Sequence, residues 1–192
     1  MGTKKFENVK KRAYQDVRPE IRTGDIFFAS GNYAFSKMIK HFSDSMLSHV
    51  GFVFTWNARV LLLESVEDDG VRAVPLSRYV NDYNNSGEPY NGRLFLGRYN
   101  DELNMGKVSQ MLGKAADILN RKYDVDEITE MLARVTLGLG VHKDDDAYLC
   151  SEFVDVCFKE IGIHFPRDDK GFIFPEHIAA DGKVDPLFEI VA

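Results

Sequence analysis

The sequence predicts an α+β fold in which an antiparallel sheet and most of the helices come from separate parts of the chain. Short apolar runs separated by turn residues occupy much of residues 23–99, and apolar positions at helical spacing dominate residues 105–161. The predicted order is strand, helix, several strands and then helices, which is typical of an α+β arrangement. With 192 residues, 44% of them hydrophobic, the chain is long enough for one domain with a hydrophobic core.

The predicted strands lie in the first half of the chain. The segments SHVGFVF and RVLLLESV stand on either side of TWNA and predict a β-hairpin. Pro75 indicates a strand end or an edge strand, because proline cannot donate to a β-ladder. Residues 81–93 are polar and rich in turn formers, so they predict a surface loop. The predicted strands are 23–30, 48–54, 59–66, 70–76 and 94–99.

The predicted helices are recognised by apolar residues at i, i+3, i+4 and i+7. The segment that carries both cysteines of the chain is apolar on more than one face, which predicts a buried helix. Residues 172–183 predict a turn with a short helix, and 138–147 predict a loop. We expect residues 1–22 to form an N-terminal helix or loosely docked arm, and residues 23–192 to form a single domain. The main predicted helices are 32–42, 105–119, 126–137 and 149–161.

Composition excludes several classes of function. The formal charge of −6 argues against a nucleic-acid partner, because phosphate binding needs a basic face. No apolar run approaches the ~18–20 residues of a membrane span. The N-terminus has positive charge but no apolar core of a secretory signal. We therefore expect a cytoplasmic protein with no integral membrane segment.

The two cysteines, Cys150 and Cys157, have different expected roles. On one helix they would lie roughly 10 Å apart, which is too far for a disulfide. Two unpaired thiols fit a reducing compartment. Cys150 falls at the predicted helix N-terminus, where the helix dipole and free N–H groups favour a thiolate. This position is a weak signal by itself, whereas Cys157 is expected to be a small apolar residue of the core.

His49 and Glu64 are both unusual in apolar strands, and the hairpin brings them to one face. With TWNA as a four-residue loop His49 lies directly opposite Glu64; with Asn57-Ala58 as the loop it is the diagonal neighbour. Only an odd-length loop would separate them. His49 could instead be a structural histidine, and Glu64 could instead pair with Arg72 or Arg98. The coincidence of two unusual residues favours a site that Cys150 completes.

The chain resembles the circularly permuted papain-fold cysteine peptidases of the NlpC type, and their YiiX-like branch in particular. The segments GDIFF, LSHVGFVF, LLLES, KYDVDEI, YLCSEFV and FPEHIAAD occur in the order seen in that family. The resemblance implies an antiparallel sheet or half-barrel packed on a central helix that carries the cysteine. It also implies that Cys150 is the nucleophile, that His49 is the general base and that Glu64 orients His49.

Further site residues follow from the same resemblance. A tyrosine ahead of the cysteine helix often lines the family's active site, which points to Tyr123, with Tyr148 as a competitor. The backbone N–H of Cys150 is the expected oxyanion donor. Ser48, beside His49, is a third side-chain candidate for contact with the substrate or its oxyanion.

The predicted function is a thiol hydrolase that cleaves amide bonds through a thioester, with a small peptide, amide or acyl substrate. One alternative is a thiol acyltransferase or lipid esterase like the lecithin retinol acyltransferase group, which an exposed apolar face around 81–93 would favour. Another is a non-catalytic binding module. A metal site made of Cys150, His49 and Glu64 lacks a close-spaced ligand pair, so no metal and no cofactor are expected. The oligomeric state stays open.

Overall fold

The protein is described by a computed structural model that covers residues 3–101, 103–124 and 148–192. In chain order its strands are β1 (Lys11–Ala13), β2 (Ile26–Gly31), β3 (His49–Trp56), β4 (Arg59–Val66), β5 (Gly70–Pro75), β6 (Gly92–Tyr99) and β7 (Val184–Val191). Its α-helices are α1 (Thr3–Phe6), α2 (Tyr14–Val17), α3 (Ala34–Phe42), α4 (Leu76–Asn81), α5 (Met105–Asp117), α6 (Cys150–Lys159) and α7 (Pro175–Ala180). Single 3₁₀ turns cover Arg18–Glu20 and Tyr83–Asn85.

The strands form one sheet in the order β1-β7-β6-β2-β3-β4-β5. Neighbouring strands are antiparallel, except that β1 runs parallel to β7 at one edge. The α+β class is confirmed, and each of the five predicted strands is present within a few residues of its predicted bounds. The predicted helix at 126–137 and loop at 138–147 lie outside the described residues.

Helix α6 packs on one face of the sheet, against β3 and β4. The Phe52 ring lies parallel to that of Phe153 at 5.6 Å and edge-on to that of Phe158 at 5.9 Å. Residues of β3 alternate between this core and a second core on the opposite face, where Val53 packs with the α4 residue Leu76. The sheet is thus buried on both faces, and α6 is held firmly above β3.

Several elements were not predicted. Strand β7 contains Pro186, and a bulge interrupts its pairing with β6, since Leu96 pairs with Phe188 but Gly97 with Pro186. Proline inside a strand hides the strand from pattern analysis, and a bulge is one of the places that accept it. The helix α4 directly precedes the segment expected to be loop and overlaps it only at Asn81, whereas the 3₁₀ turn Tyr83–Asn85 lies inside that segment.

The N-terminal residues are integrated into the fold. The Phe6 and Val17 side chains are fully buried. Strand β1 adds to the free edge of β7, with Arg12 opposite Ile190. This segment is therefore packed rather than loosely docked, and the domain boundary at residue 22 stays a prediction.

The turn between β3 and β4 allows a test of local strain. Asn57 and Ala58 have φ of 48° and 60°, the left-handed conformations of a two-residue hairpin turn. Alanine at this position costs about 1–2 kcal/mol, whereas glycine adopts it freely. We expect Ala58→Gly to raise the free energy of unfolding by roughly 0.5–1 kcal/mol in urea titrations. Ala73→Gly, in an extended strand, is the matched control and should lower the free energy of unfolding. A lower free energy of unfolding in both variants would contradict the role of strain in the turn.

Candidate active site

The two-residue turn sets the register that brings His49 to Glu64. Trp56 pairs with Arg59 and Phe52 with Leu63, so His49 and Glu64 are diagonal neighbours on one face. The His49 Nε2 atom lies 2.7 Å from Glu64 Oε2. This is the second of the two registers considered from the sequence.

Gly51 leaves the space in which Glu64 crosses to β3. A Cβ atom on Gly51 would lie 2.6 Å from the Leu63 carbonyl oxygen and 3.3 Å from the Glu64 Cβ. The first distance is shorter than real contacts allow, so a larger residue would push β4 away. We infer that the glycine after Val50 is required for close packing of the hairpin at this point.

Glu64 is fully buried and has three hydrogen bonds and one further ion-pair contact with three side chains. Its Oε2 faces His49 Nε2 and accepts from the Tyr79 hydroxyl at 2.6 Å. Its Oε1 accepts from Arg72 Nε at 2.9 Å and lies 2.8 Å from Arg72 Nη2. Burial by itself raises the pKa of Glu64, but His49, Arg72 and Tyr79 outweigh burial and hold that pKa below its ordinary value. Glu64 is therefore a buried anion.

Arg72 is the arginine partner of Glu64, as one alternative anticipated. It stands directly opposite Glu64 on β5 and also donates to Asp69. Arg98, the other candidate, instead forms a two-point contact with Asp25, at 2.6 and 2.8 Å. The partnership with Arg72 adds to the contact with His49 and does not replace it.

Cys150 is the first residue of α6, which begins where Leu149 adopts an extended conformation. The Glu152 carboxylate accepts from the Leu149 N–H at 3.0 Å and so stabilises this helix start. The Cys150 side chain is buried and close enough to the His49 imidazole to influence its pKa. Because His49 Nε2 faces Glu64, the other ring nitrogen, Nδ1, is the one left for Cys150.

The charge of His49 depends on both neighbours. Burial by itself lowers the pKa of the imidazole, but the hydrogen bonds and negative charges of Cys150 and Glu64 outweigh burial and raise that pKa to about 10. His49 is thus protonated at neutral pH when its partners are thiolate and carboxylate. The imidazole therefore has two partners that act on its charge, the Cys150 side chain and the Glu64 carboxylate.

Cys157 lies apart from this group. Its side chain is fully buried in the core between α6 and the sheet. Burial raises its pKa well above the ordinary value of a thiol, so it remains a protonated, apolar side chain. Both cysteines are free, as expected from their spacing.

A cleft of about 480 Å³ opens beside His49. Part of its lining is a group of three aromatic rings that we call the tyrosine wall: Tyr33, Tyr83 and Tyr90, with ring centroids 4.9–5.8 Å apart. Another part is the turn between β4 and β5, called here the acidic turn: Glu67, Asp68 and Asp69. The cleft is the space in which a substrate can reach the imidazole.

The three further candidates occupy different places. Tyr123 lines the cleft, and burial followed by the negative charge of Cys150 raises its pKa well above normal, so its hydroxyl stays protonated. Ser48 also lines the cleft, but its hydroxyl accepts from the Gly31 N–H at 2.9 Å. Tyr148 packs against the main core, and its carbonyl oxygen accepts from Ser65 Oγ at 2.6 Å. Tyr123 therefore lies close enough to Cys150 for the charge of Cys150 to act on its hydroxyl.

Tyr79 and the tyrosine wall were missed from the sequence. Tyr79 lies on α4, within a segment that showed no strong pattern, and reaches Glu64 only through the fold. Aromatic residues in a turn-rich segment were the sole signal, since Tyr83 and Tyr90 stand in the predicted loop 81–93.

The alternative of a lipid-acting enzyme depended on an observable feature, an exposed apolar face around residues 81–93. The exposed residues between 81 and 93 are polar, glycine or proline, so this segment shows no apolar face of the kind expected for a lipid-acting enzyme. Over the ranges 3–101, 103–124 and 148–192, no helix is long and apolar enough to cross a membrane.

Comparisons with known proteins decide the family. A family model described as permuted papain-like amidase enzyme, YaeF/YiiX, C92 family, matches residues 20–174. This chain belongs to the C92 family. The match contains His49, Glu64 and Cys150, and confirms the resemblance noted from the sequence.

A solved structure has a similar fold. The crystal structure of a protein described as metalloprotein yiiX, from Escherichia coli O157:H7, is similar to this chain, with a TM-score of 0.68 and 16% identity over 90% of this chain and 99% of that one. A search of curated proteins found no match. As a C92 member the chain is an amide hydrolase of the cysteine-peptidase class with a circularly permuted papain-like fold.

Proposed function

We propose that Cys150, His49 and Glu64 are the catalytic triad of this amidase. The observation that carries the proposal is the 2.7 Å contact between His49 and the buried Glu64, on an imidazole whose charge Cys150 also influences. A nucleophile next to a base, which a third group orients, is the arrangement that acyl transfer needs. Chain order carries no weight here, because such triads are identified by geometry and role.

The proposed reaction has two steps. The Cys150 thiolate attacks the amide carbonyl, and His49 gives its Nδ1 proton to the leaving amine, which leaves a thioester on Cys150. His49 then takes a proton from water, the resulting hydroxide displaces the thiolate, and the carboxylic acid departs. The backbone N–H of Cys150 and the protonated Tyr123 hydroxyl are the proposed donors to the oxyanion. Glu64 stays ionised throughout and orients the imidazole.

A direct test is to trap the thioester. The protein is mixed with a panel of acyl amides and p-nitrophenyl esters, quenched in acid and digested, and acyl masses are located by tandem mass spectrometry. We expect the acyl group on the peptide that contains Cys150. Acylation of Cys157 instead, or turnover with no modification of Cys150 under any quench time, would overturn the assignment.

The charge of the cleft predicts which amides react best. Its described lining residues include the three carboxylates of the acidic turn and a single arginine, Arg72, which already contacts Glu64 and Asp69. A cleft of this charge raises the local concentration of cations and lowers that of anions. We expect an amide with a free carboxylate to react roughly 10-fold more slowly than its neutral or ammonium-bearing analogue at low salt.

A double variant tests whether the acidic turn causes this preference. Glu67→Gln with Asp68→Asn removes two charges from the lining without touching the triad. The difference between the matched amides should shrink in this variant and in high salt. An anionic amide that reacts fastest with the unmodified protein would contradict the prediction.

The similar E. coli protein yiiX is described as a metalloprotein, which raises the question of a metal here. His49 Nε2 contacts Glu64 itself, and both Glu64 oxygens accept further hydrogen bonds, so these donors do not converge on one point. In the ranges that the structure covers, no group of three His, Cys, Asp or Glu residues is placed to hold a metal ion. The side chains that the structure describes around His49 do not fit a metal site, and the proposed steps use those side chains themselves.

A further inference from the structure

We propose that Tyr79 and Arg72 are positioning residues, which hold both oxygens of Glu64 so that the carboxylate keeps the His49 imidazole aimed at Cys150. This inference rests on the proposed triad. It adds two residues that act through Glu64 and do not themselves touch the reacting atoms.

The Glu64 carboxylate needs to be held in place. The terminal torsion of a glutamate side chain is broad, so its carboxylate can rotate with little cost unless both oxygens are engaged. A contact from His49 alone would leave Oε1 free. Arg72 holds Oε1 through two nitrogens and Tyr79 holds Oε2, which fixes the plane of the carboxylate. The 2.7 Å contact with His49 Nε2 is then made in one orientation.

Both positioning residues are themselves well anchored. Arg72 lies on β5 directly opposite Glu64, and Asp69 engages its other end. The Tyr79 ring is almost fully buried and lies edge-on to Phe27 at 5.0 Å. Phe27 also contacts the His49 ring edge-on, at 6.4 Å, so the same side chain packs against Tyr79 and the imidazole.

The same two residues also stabilise the negative charge of Glu64. A buried carboxylate beside a histidine can take up the imidazole proton unless its own charge is stabilised. The positive charge of Arg72 and the hydroxyl of Tyr79 supply that stabilisation, and burial raises the pKa of Tyr79 so that it remains a donor. The groups facing Glu64 are thus His49 from β3, Arg72 from β5 and Tyr79 from α4. With Glu64 held as an anion, the Nε2 proton stays on His49, so the ring is a cation whose Nδ1 proton can pass to the leaving amine.

The test uses two conservative variants and two matched controls. Tyr79→Phe keeps the ring and removes the donor, and Arg72→Lys keeps the charge and removes the two-nitrogen contact. Arg98→Lys makes the same change at the similar contact with Asp25, away from the cleft. Tyr14→Phe removes a hydroxyl from a buried tyrosine of the same core. Circular dichroism and thermal unfolding verify that each variant is folded.

We expect Tyr79→Phe and Arg72→Lys to lower kcat on the order of 10- to 100-fold with little change in KM, since misplacement of a reacting group acts on the chemical step. The downfield proton NMR signal of the His49 Nε2–H bonded to Glu64 should weaken or shift in both. Arg72→Gln should lower kcat more than Arg72→Lys does, because it also removes the positive charge. The controls should match the unmodified protein in rate and in this signal.

Unchanged kcat and an unchanged His49 signal in both variants would overturn the inference. So would a rise in KM with the signal intact, because it would make these residues substrate contacts from the cleft lining. Failure of the proposed triad looks different: the unmodified protein would then lack acylation of Cys150. The NMR signal would still report whether Tyr79 and Arg72 hold Glu64.

Discussion

Replacing Cys150 by alanine should abolish amide turnover without loss of fold, by at least ~10⁴-fold in kcat. The thiol is the only proposed nucleophile of the site, and neither His49 nor the oxyanion donors can replace it. The measurement is hydrolysis of an amide that the unmodified protein cleaves, with circular dichroism to verify folding. The side chain is small and lies at a helix start, so its removal should disturb packing little.

Cys157→Ala is the matched control on the same helix. Its side chain is fully buried among core residues, so the change removes packing and leaves a small cavity. We expect a loss of about 1–2 kcal/mol in the free energy of unfolding, with turnover retained. Iodoacetamide near neutral pH should label Cys150 faster than Cys157. Equal labelling rates, or loss of turnover in a folded Cys157→Ala protein, would contradict the assignment of the nucleophile.

The second large effect concerns His49. Its pKa of about 10 means that the imidazole keeps its proton well above neutral pH and loses it as the pH rises through 10. An amide leaving group needs that proton, whereas a p-nitrophenolate leaving group does not. We therefore expect amide turnover to fall as pH rises through about 10, while acylation by a p-nitrophenyl ester persists in the same protein.

Removal of the imidazole should separate the two roles of His49. In His49→Ala no group is left to protonate the leaving amine or to accompany the thiolate, so we expect amide turnover at neutral pH to fall on the order of 10²–10⁴-fold. The amide pH profile of that variant should lose the decline near pH 10. A decline that persists in a folded His49→Ala protein would show that another group titrates there.

The pKa of His49 also predicts a change in stability. The pKa of His49 is raised above its ordinary value of 6.5, so the partners of the imidazole stabilise the folded state. This stabilisation is complete below pH 6.5 and is lost as the pH rises through about 10. In urea titrations from pH 6 to 10.5, the free energy of unfolding of the unmodified protein should decline, whereas that of His49→Ala should lack this decline. Equal slopes in the two proteins would contradict the proposed ion pairing.

Strand and helix positions could be predicted from local pattern. The apolar runs SHVGFVF and RVLLLESV on either side of TWNA identified the hairpin, because runs rich in Val, Leu and Phe that turn residues bound favour strands. Strand β7 could not be identified in that way, since Pro186 interrupts its apolar run and a bulge lies beside it. Strand β1 in the N-terminal segment was not predicted either. It has only three residues, which carry almost no pattern, and it forms by pairing with the free edge of β7.

The shared face of His49 and Glu64 and the helix start at Cys150 follow from the order of amino acids alone, because strand alternation and helix starts are local properties. The register of the hairpin was settled by the folded chain, through a turn with Asn57 and Ala58 at positive φ. The fold also brings Tyr79 and Arg72 to Glu64, and α6 brings Cys150 to His49. These contacts join residues of different elements by packing and loop closure, which leave no periodic signal in the chain.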